Sequence, residues 1–348
     1  MNSATLKWIA IATVALLVLM IVVDQADRSD TVTSGELLMP GLKDRINDID
    51  KVTVTAAEAA ESVTIARSGD EWLVVEKDSF PADVGKLREV LLALADARKL
   101  EQKTANPERL AQLGVAGPEA GNGTLLEIAG DDLQFAVIVG NVAQGKNRYV
   151  RMADDSQSWL IDKNPDLPAT GGGWLAAELL DIDAARVQSV SISHADGETI
   201  RLHKTSQDAA NFNVADIPEG RELSYATVAN GIAGVLNDLT LEDVRRSDAG
   251  ELATTSVFTT FDGLEISVRR YTDGDDAWLA LTASVVAPAI TEAPAEAPAE
   301  ATSEVEPGEE EAGTINARLA GWQYRIPEYK ANLLARRWDD ILKSEDED

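Results

Sequence analysis

Val190-Ser-Ile-Ser-His-Ala-Asp-Gly-Glu-Thr-Ile-Arg-Leu202 is the stretch that decides the fold. Val190 and Ile192 alternate with polar residues, as do Ile200 and Leu202, the period-two signature of strands with one buried face. Asp196-Gly197 between them is a turn dipeptide, so the stretch reads as a β-hairpin. A two-residue turn sets His194 opposite Thr199 and His203 opposite Val190, both at exposed strand positions. These are the only two histidines. On that register their rings do not meet, which argues against a histidine base or metal site.

Working outward, Phe212 and Val214 add a third strand and Pro218 ends the run. Ser224 then caps a helix with Val228, Ile232, Val235, Leu236 and Leu239 on one stripe. The same series stands upstream. Val52 and Val54, Val63 and Ile65, then Trp72 and Val74 precede the later strands by 137 to 140 residues. Pro81 matches Pro218. Asp83 caps a helix to about Lys99 through Val84, Leu87, Val90, Leu91 and Leu94, with Leu100 just beyond. One serial order in both halves predicts a duplication.

More strands follow each helix. Asn106-Pro107 opens a short helix that Gly114 stops. Leu126 and Ile128, then 135–139, 149–152 and 159–161, read as an antiparallel meander. The second half repeats it at 257–261, 265–269 and 278–281. Its last strand, 322–327, is delayed by a Pro/Ala/Glu tract at 285–313, too polar and proline-rich to fold. Residues 329–343 form an amphipathic helix with Leu333, Leu334, Trp338, Ile341 and Leu342. The expected fold is therefore α+β: two similar repeats, 49–165 and 186–343, each an antiparallel sheet with a packed helix. A segment at 166–185 connects them, the tract is a disordered hairpin loop, and 344–348 is an acidic tail.

An apolar run precedes all of this. Residues 8–23 carry no charge and only Thr13 is polar. As a helix they span roughly 24 Å at 1.5 Å per residue, against roughly 30 Å of hydrocarbon. Extension towards Leu6 places the anchor at 6–23, with Lys7 snorkelling and Trp8 at the interface. A cleaved signal peptide is the competing reading, and Asp24-Gln25-Ala26 argues against it by lacking a small-x-small cleavage pattern. With no cysteine, a lipoprotein anchor is excluded. Lys7 before the helix, and Asp24, Asp27 and Asp30 after it, set the N-terminus in the cytoplasm and the body in a bacterial periplasm. Residues 24–48, interrupted by Gly35, Pro40 and Gly41, read as a spacer.

The formal charge is −29, and it is still −17 without the eight glutamates between 291 and 312 and the four acids at 345–348. That sign disfavours nucleic acid as a partner, because phosphates would be repelled. Gly140-Asn-Val-Ala-Gln-Gly-Lys146-Asn147 falls one residue short of a phosphate-binding P-loop. Asn147 stands where a magnesium-holding hydroxyl belongs, and strand-like 149–152 follows where a helix should begin. Gly-x-Ser-x-Gly, His-Glu-x-x-His and Gly-x-Gly-x-x-Gly are absent. Adjacent acids such as Asp131-Asp132 and Asp275-Asp276 point apart on turns. No catalytic, cofactor or metal residue is expected. The residues best suited to a partner or ligand surface are the aromatics Trp72, Tyr149, Trp159 and Trp278, and Arg336, Arg337 and Trp338 of the C-terminal helix.

Val52-Thr-Val54, Gly69-Asp-Glu-Trp72, Pro81-Ala-Asp83, Leu110 to Val115, Ile138-Val-Gly140, Tyr149-Val-Arg151 and the closing Trp322 to Lys330 together resemble a bacterial family, domain of unknown function 4340. The likeness covers nearly all of the chain beyond the anchor and is carried by structural motifs. It implies a membrane-anchored protein that accompanies an ABC exporter ATPase, its permease and a gliding-motility-like auxiliary protein. It supplies no catalytic residue. The expected function is thus a non-enzymatic accessory or scaffold of an ABC-type transport complex at the inner membrane. The alternative is a periplasmic binding module for an envelope glycan or peptide.

Overall fold

A computed structural model describes residues 35–57, 62–246, 250–286 and 307–344. The expected anchor at 6–23, most of the Pro/Ala/Glu tract and the last four residues lie outside the described residues. Among the described residues no helix is long and apolar enough to cross a membrane. What is described is sheet-rich α+β. The chain separates into two compact units, residues 1–62 with 88–169, and residues 63–87 with 170–348.

The first elements in chain order are β1 (Ile49–Ala56), β2 (Val63–Ser68), β3 (Glu71–Val74), β4 (Phe80–Pro81) and α1 (Val84–Ala95). Next come β5 (Lys99–Gln102), α2 (Pro107–Leu110), β6 (Thr124–Gly130), β7 (Leu133–Val142), β8 (Arg148–Met152) and β9 (Ser158–Ile161). In the first unit the strands lie in the order β1-β6-β7-β8-β9-β5, antiparallel throughout. Alternation sends Val52, Val54, Leu126, Ile128, Val137, Val139, Val150 and Ile161 into the core, as the period-two pattern requires. α2 forms as expected: the Glu108 amide donates to the Asn106 side chain, Pro107 takes the first turn, and Gly114 at φ 74° ends the following turn.

Two expectations need correction in this unit. The helix from Asp83 stops at Ala95, and Lys99–Gln102 instead pairs with β9, leaving Leu100 exposed. A four-residue strand of pattern Lys-Leu-Glu-Gln has too little alternation to signal itself. The supposed spacer is folded from residue 35 onward. Leu38, Met39 and Leu42 are buried, Leu38 donates its amide to the Ala97 carbonyl, and the Lys99 amide donates to Glu36.

The second unit holds the β2-β3-β4 meander and the later elements. These are β10 (Glu178–Leu180), β11 (Val187–His194), β12 (Thr199–His203), β13 (Asn213–Ala215), α3 (Val228–Ala233), β14 (Leu239–Thr240) and β15 (Asp243–Arg245). β16 (Glu251–Thr260), β17 (Leu264–Asp273), β18 (Asp276–Val285), α4 (Pro307–Leu319), β19 (Gln323–Arg325), α5 (Glu328–Leu333) and α6 (Trp338–Ile341) complete it. The large sheet runs β13-β12-β11-β16-β17-β18-β19-β15, and β10 pairs with β14. Its run from β11 to β15 follows the same serial logic as the six strands of the first unit. The supposed connecting segment is part of this unit's core, with Trp174, Leu175, Leu179, Leu180 and Ile182 all buried.

The quoted hairpin forms one residue out of the expected register. Ser193 pairs with Thr199 and Ser189 with His203. The loop is Ala195-Asp196-Gly197, where Gly197 at φ 96° accepts the left-handed turn, and the shift buries His194 to 7% exposure. Ser224 does not cap a helix. Its amide and Oγ both donate to the Ile341 carbonyl, and α3 starts only at Val228. The C-terminal helix is broken in two because Arg337 is extended and its amide donates to Asp340, capping α6. Leu342 then bridges to Leu223.

The largest correction concerns the tract. Its end, residues 307–313, is helical and continues to Leu319 as α4. Ala312, Ile315 and Leu319 are buried. Asn316 brackets Ala283 of β18, accepting from its amide and donating to its carbonyl, so a side chain completes the strand edge where β19 does not reach. Arg318 donates to the carbonyls of Glu178 and Leu179. Arg186 grips Glu311 with two nitrogens and Asp262 with its other contacts.

Candidate functional site

On β17, Arg269 and Tyr271 point to one face of the sheet, opposite to Val268 and Arg270. Ala280 pairs with Arg269 and Trp278 with Tyr271 across the hairpin, so these side chains share that face. Gly321 and Trp322, in the turn after α4, close a groove of about 390 Å³ with Arg269, Tyr271, Ala280 and Thr282. The Arg245 guanidinium lies 4.0 Å over the Trp278 ring and is oriented by Gln323 at 3.0 Å and Asp273 at 2.7 Å. Arg246 lies 3.8 Å over Trp322, whose ring also meets Phe80 edge-on at 5.0 Å. Arginine over tryptophan is favourable through the ring quadrupole. Trp278 and Trp322 are themselves buried, so the groove offers a ligand or partner the half-buried Tyr271 ring and an exposed guanidinium, Arg269. Among the described residues there is no group of three metal-ligating side chains.

Of the residues expected to form a partner or ligand surface, Trp278 alone adjoins this groove, paired with Tyr271. Trp72 is half-buried on β3 of the same unit. Tyr149 and Trp159 belong to the first unit. Trp159 is 7% exposed with Lys99 at 4.7 Å over its ring, and Tyr149 packs on Leu110, Val115 and Ile138 under Lys103. Arg337 pairs with Asp196 at 2.8 Å and Glu198 at 2.5 Å. Asp196 is held below the usual carboxylate range by the Glu198 amide and then by Arg337. The Trp338 amide donates to Glu198, and the Arg336 carbonyl meets His194 Nε2 at 3.0 Å. These three residues thus fasten the chain end to the β11–β12 hairpin.

The P-loop-like stretch is a hairpin connection. Ala143 donates to Asn147, and Arg148 Nε donates to the Gly140 carbonyl. A Cβ at Gly140 would collide with the Leu113 carbonyl and with Val115 Cγ1, so glycine is there for close packing. Sequence reasoning missed Arg269 and Tyr271. Their signal was the alternation Arg269-x-Tyr271 facing Trp278-x-Ala280 across the Gly274-Asp275 turn.

The family model for domain of unknown function 4340 matches residues 72–257, more than half of the 348-residue chain. The chain belongs to this family. Within the family-matched span lie most of β3, all elements from β4 to β15 and the first seven residues of β16, so the match covers parts of both units. No curated protein and no solved structure matches the chain.

Proposed function

We propose that this family member is a non-enzymatic accessory or scaffold of an ABC-type transport complex, held to the inner membrane by residues 6–23 with its body in the periplasm. One observation carries the reading: side chains capable of chemistry are spent on backbone carbonyls while an arginine- and aromatic-rich groove faces outward. Arg148 serves Gly140 and Pro165, Arg151 serves Val115, Ala116 and Asp155, and Lys330 serves Val235, Asn237 and Asp238. The groove's composition is that of interface cores, where arginine and aromatics are enriched. The uncharged run at 8–23 supports the tether, and the family resemblance supports the transporter association. Gentle detergent purification at native expression is expected to recover an ABC permease or gliding-motility-like auxiliary protein with the chain. Recovery of the chain alone would overturn the proposal.

The shared six-strand order supports descent of 49–165 and 186–343 from one duplicated unit, with the tract inserted between β18 and β19 as its counterpart loop joins β8 and β9. A second functional reading, capture of an envelope glycan or peptide, is favoured by the half-buried ring of Tyr271 in the groove, beside Trp322. Such a ligand would quench tryptophan fluorescence in the wild type and not in Tyr271→Ala.

A further inference from the structure

The inward face of β17 reads Leu264, Ile266, Val268 and then Arg270, a cation where the pattern calls for a hydrophobe. Its neighbours on β16 turn polar at the same end: Thr254 pairs with Arg270, and Ser256 with Val268. Thr254 is satisfied, donating to the Leu334 carbonyl. Arg270 Nε and Ser256 Oγ are both buried and have no hydrogen-bond partner among the described residues. Burial lowers the Arg270 pKa. Orphaned buried polar atoms are rare because each carries the full cost of desolvation. Two on one sheet face ask what fills the space beside them.

That space exists. Arg270 lines a pocket of about 400 Å³, walled by Ile326, Ala331 and Asn332, with Glu242, Asp275, Asp276, Glu328 and Arg325 also lining it. Arg325 is already engaged by Asp243 at 3.8 Å and Asp276 at 3.9 Å. An unpaired guanidinium selects a carboxylate, which it can bind with two parallel hydrogen bonds. The surrounding acids disfavour multiply charged anions and favour a ligand that also carries an amine.

We propose that this pocket binds a small zwitterion, a free amino acid or short peptide, with its carboxylate on Arg270 and its ammonium among Asp275, Asp276 and Glu328. The site lies apart from the outward groove and does not depend on the transporter reading.

The test is thermal unfolding and titration calorimetry of the full chain in detergent, with L-alanyl-L-alanine, acetate, ethylamine and inorganic phosphate as probes. The dipeptide is expected to raise the midpoint and to bind more tightly than acetate or ethylamine, with phosphate inert. Arg270→Met removes an unpaired, half-buried charge, so it should not lower the ligand-free midpoint. It should weaken dipeptide binding by about tenfold or more, as loss of a charge-assisted hydrogen bond does. Arg270→Lys keeps the charge without the fork and should fall between; it carries the test if the methionine variant does not fold. Dipeptide binding that survives in both variants would place the ligand elsewhere and overturn the proposal. So would the absence of binding by every probe, or phosphate binding better than the dipeptide.

Discussion

Lys330 is 7% exposed, and its Nζ donates to the carbonyls of Val235 at 3.0 Å and Asp238 at 3.1 Å, and also to that of Asn237. These carbonyls belong to the turn after α3, where Asp238 sits at φ 46°, an uncommon conformation for a side-chain-bearing residue. Lys330→Met keeps the stem and removes the cation. Asn237 and Asp238 can recover hydrogen bonds from water, but Val235 is buried and its carbonyl is left orphaned, at about 1–3 kcal/mol. Relief from burying an ammonium offsets part of this. A net loss of about 1.5 kcal/mol is expected, which in a unit of this size lowers the midpoint by about 3–6 °C. Circular dichroism of wild type and variant measures it. Burial also holds the Lys330 amine below the ordinary lysine value. Between its folded value and about 10.4 the unfolded chain binds more protons, so wild-type stability gains on the variant as pH rises through that window. A midpoint unchanged within about 2 °C, or raised, would refute the reasoning, because the charge would then cost as much as its three hydrogen bonds return.

Arg186→Ala should lower stability by about 1–2 kcal/mol through loss of charge-assisted bonds to Glu311 and Asp262, with faster hydrogen exchange in α4. Asp262 is held below the usual carboxylate range by Arg186; that stability is complete above about pH 4 and lost as pH falls through the folded value, so the variant's acid limb should be flatter. Gly140→Ala should cost about 1–3 kcal/mol, since its Cβ meets backbone and a packed valine; tolerance by thermal melt would show that β7 shifts freely. Replacing residues 287–306 with a five-residue Gly-Ser turn, keeping Pro307, should leave the midpoint unchanged or raise it. The closure gain for an ideal flexible loop is about 1.2 kcal/mol. A cut reaching Ala312 should be harmful, because it removes Glu311.

Much of the sheet was legible because strands with one wet face write their period into the sequence. Val52, Val54, Leu126, Ile128, Val190, Ile192, Ile200 and Leu202 are buried where alternation put them. Register was less legible. Asp196-Gly197 fits a two-residue or a three-residue loop, and one residue of difference moved His194 from surface to interior. α4 was missed because glutamate and glycine outweighed its apolar stripe, although Pro307, Glu309 and Glu310 at its start and Arg318 and Gly321 at its end are helix boundary signals. β5 and β15 are too short for any period. The groove was half visible: Trp278 stood out by type, whereas Arg269 and Tyr271 acquire meaning only from the pairing of β17 with β18. Arg270 was a visible break in a hydrophobic alternation, but only the sheet shows that it points inward.

In the proposed role the chain docks on a transporter component through the outward groove. A photoactivatable benzoylphenylalanine at position 269, expressed at native level in the full chain and irradiated in intact cells, tests it directly. One dominant adduct is expected, identified by mass spectrometry as an ABC permease or its auxiliary protein, and lost in Tyr271→Ala. No adduct from position 269, with adducts to such a protein from positions on the first unit instead, would contradict it.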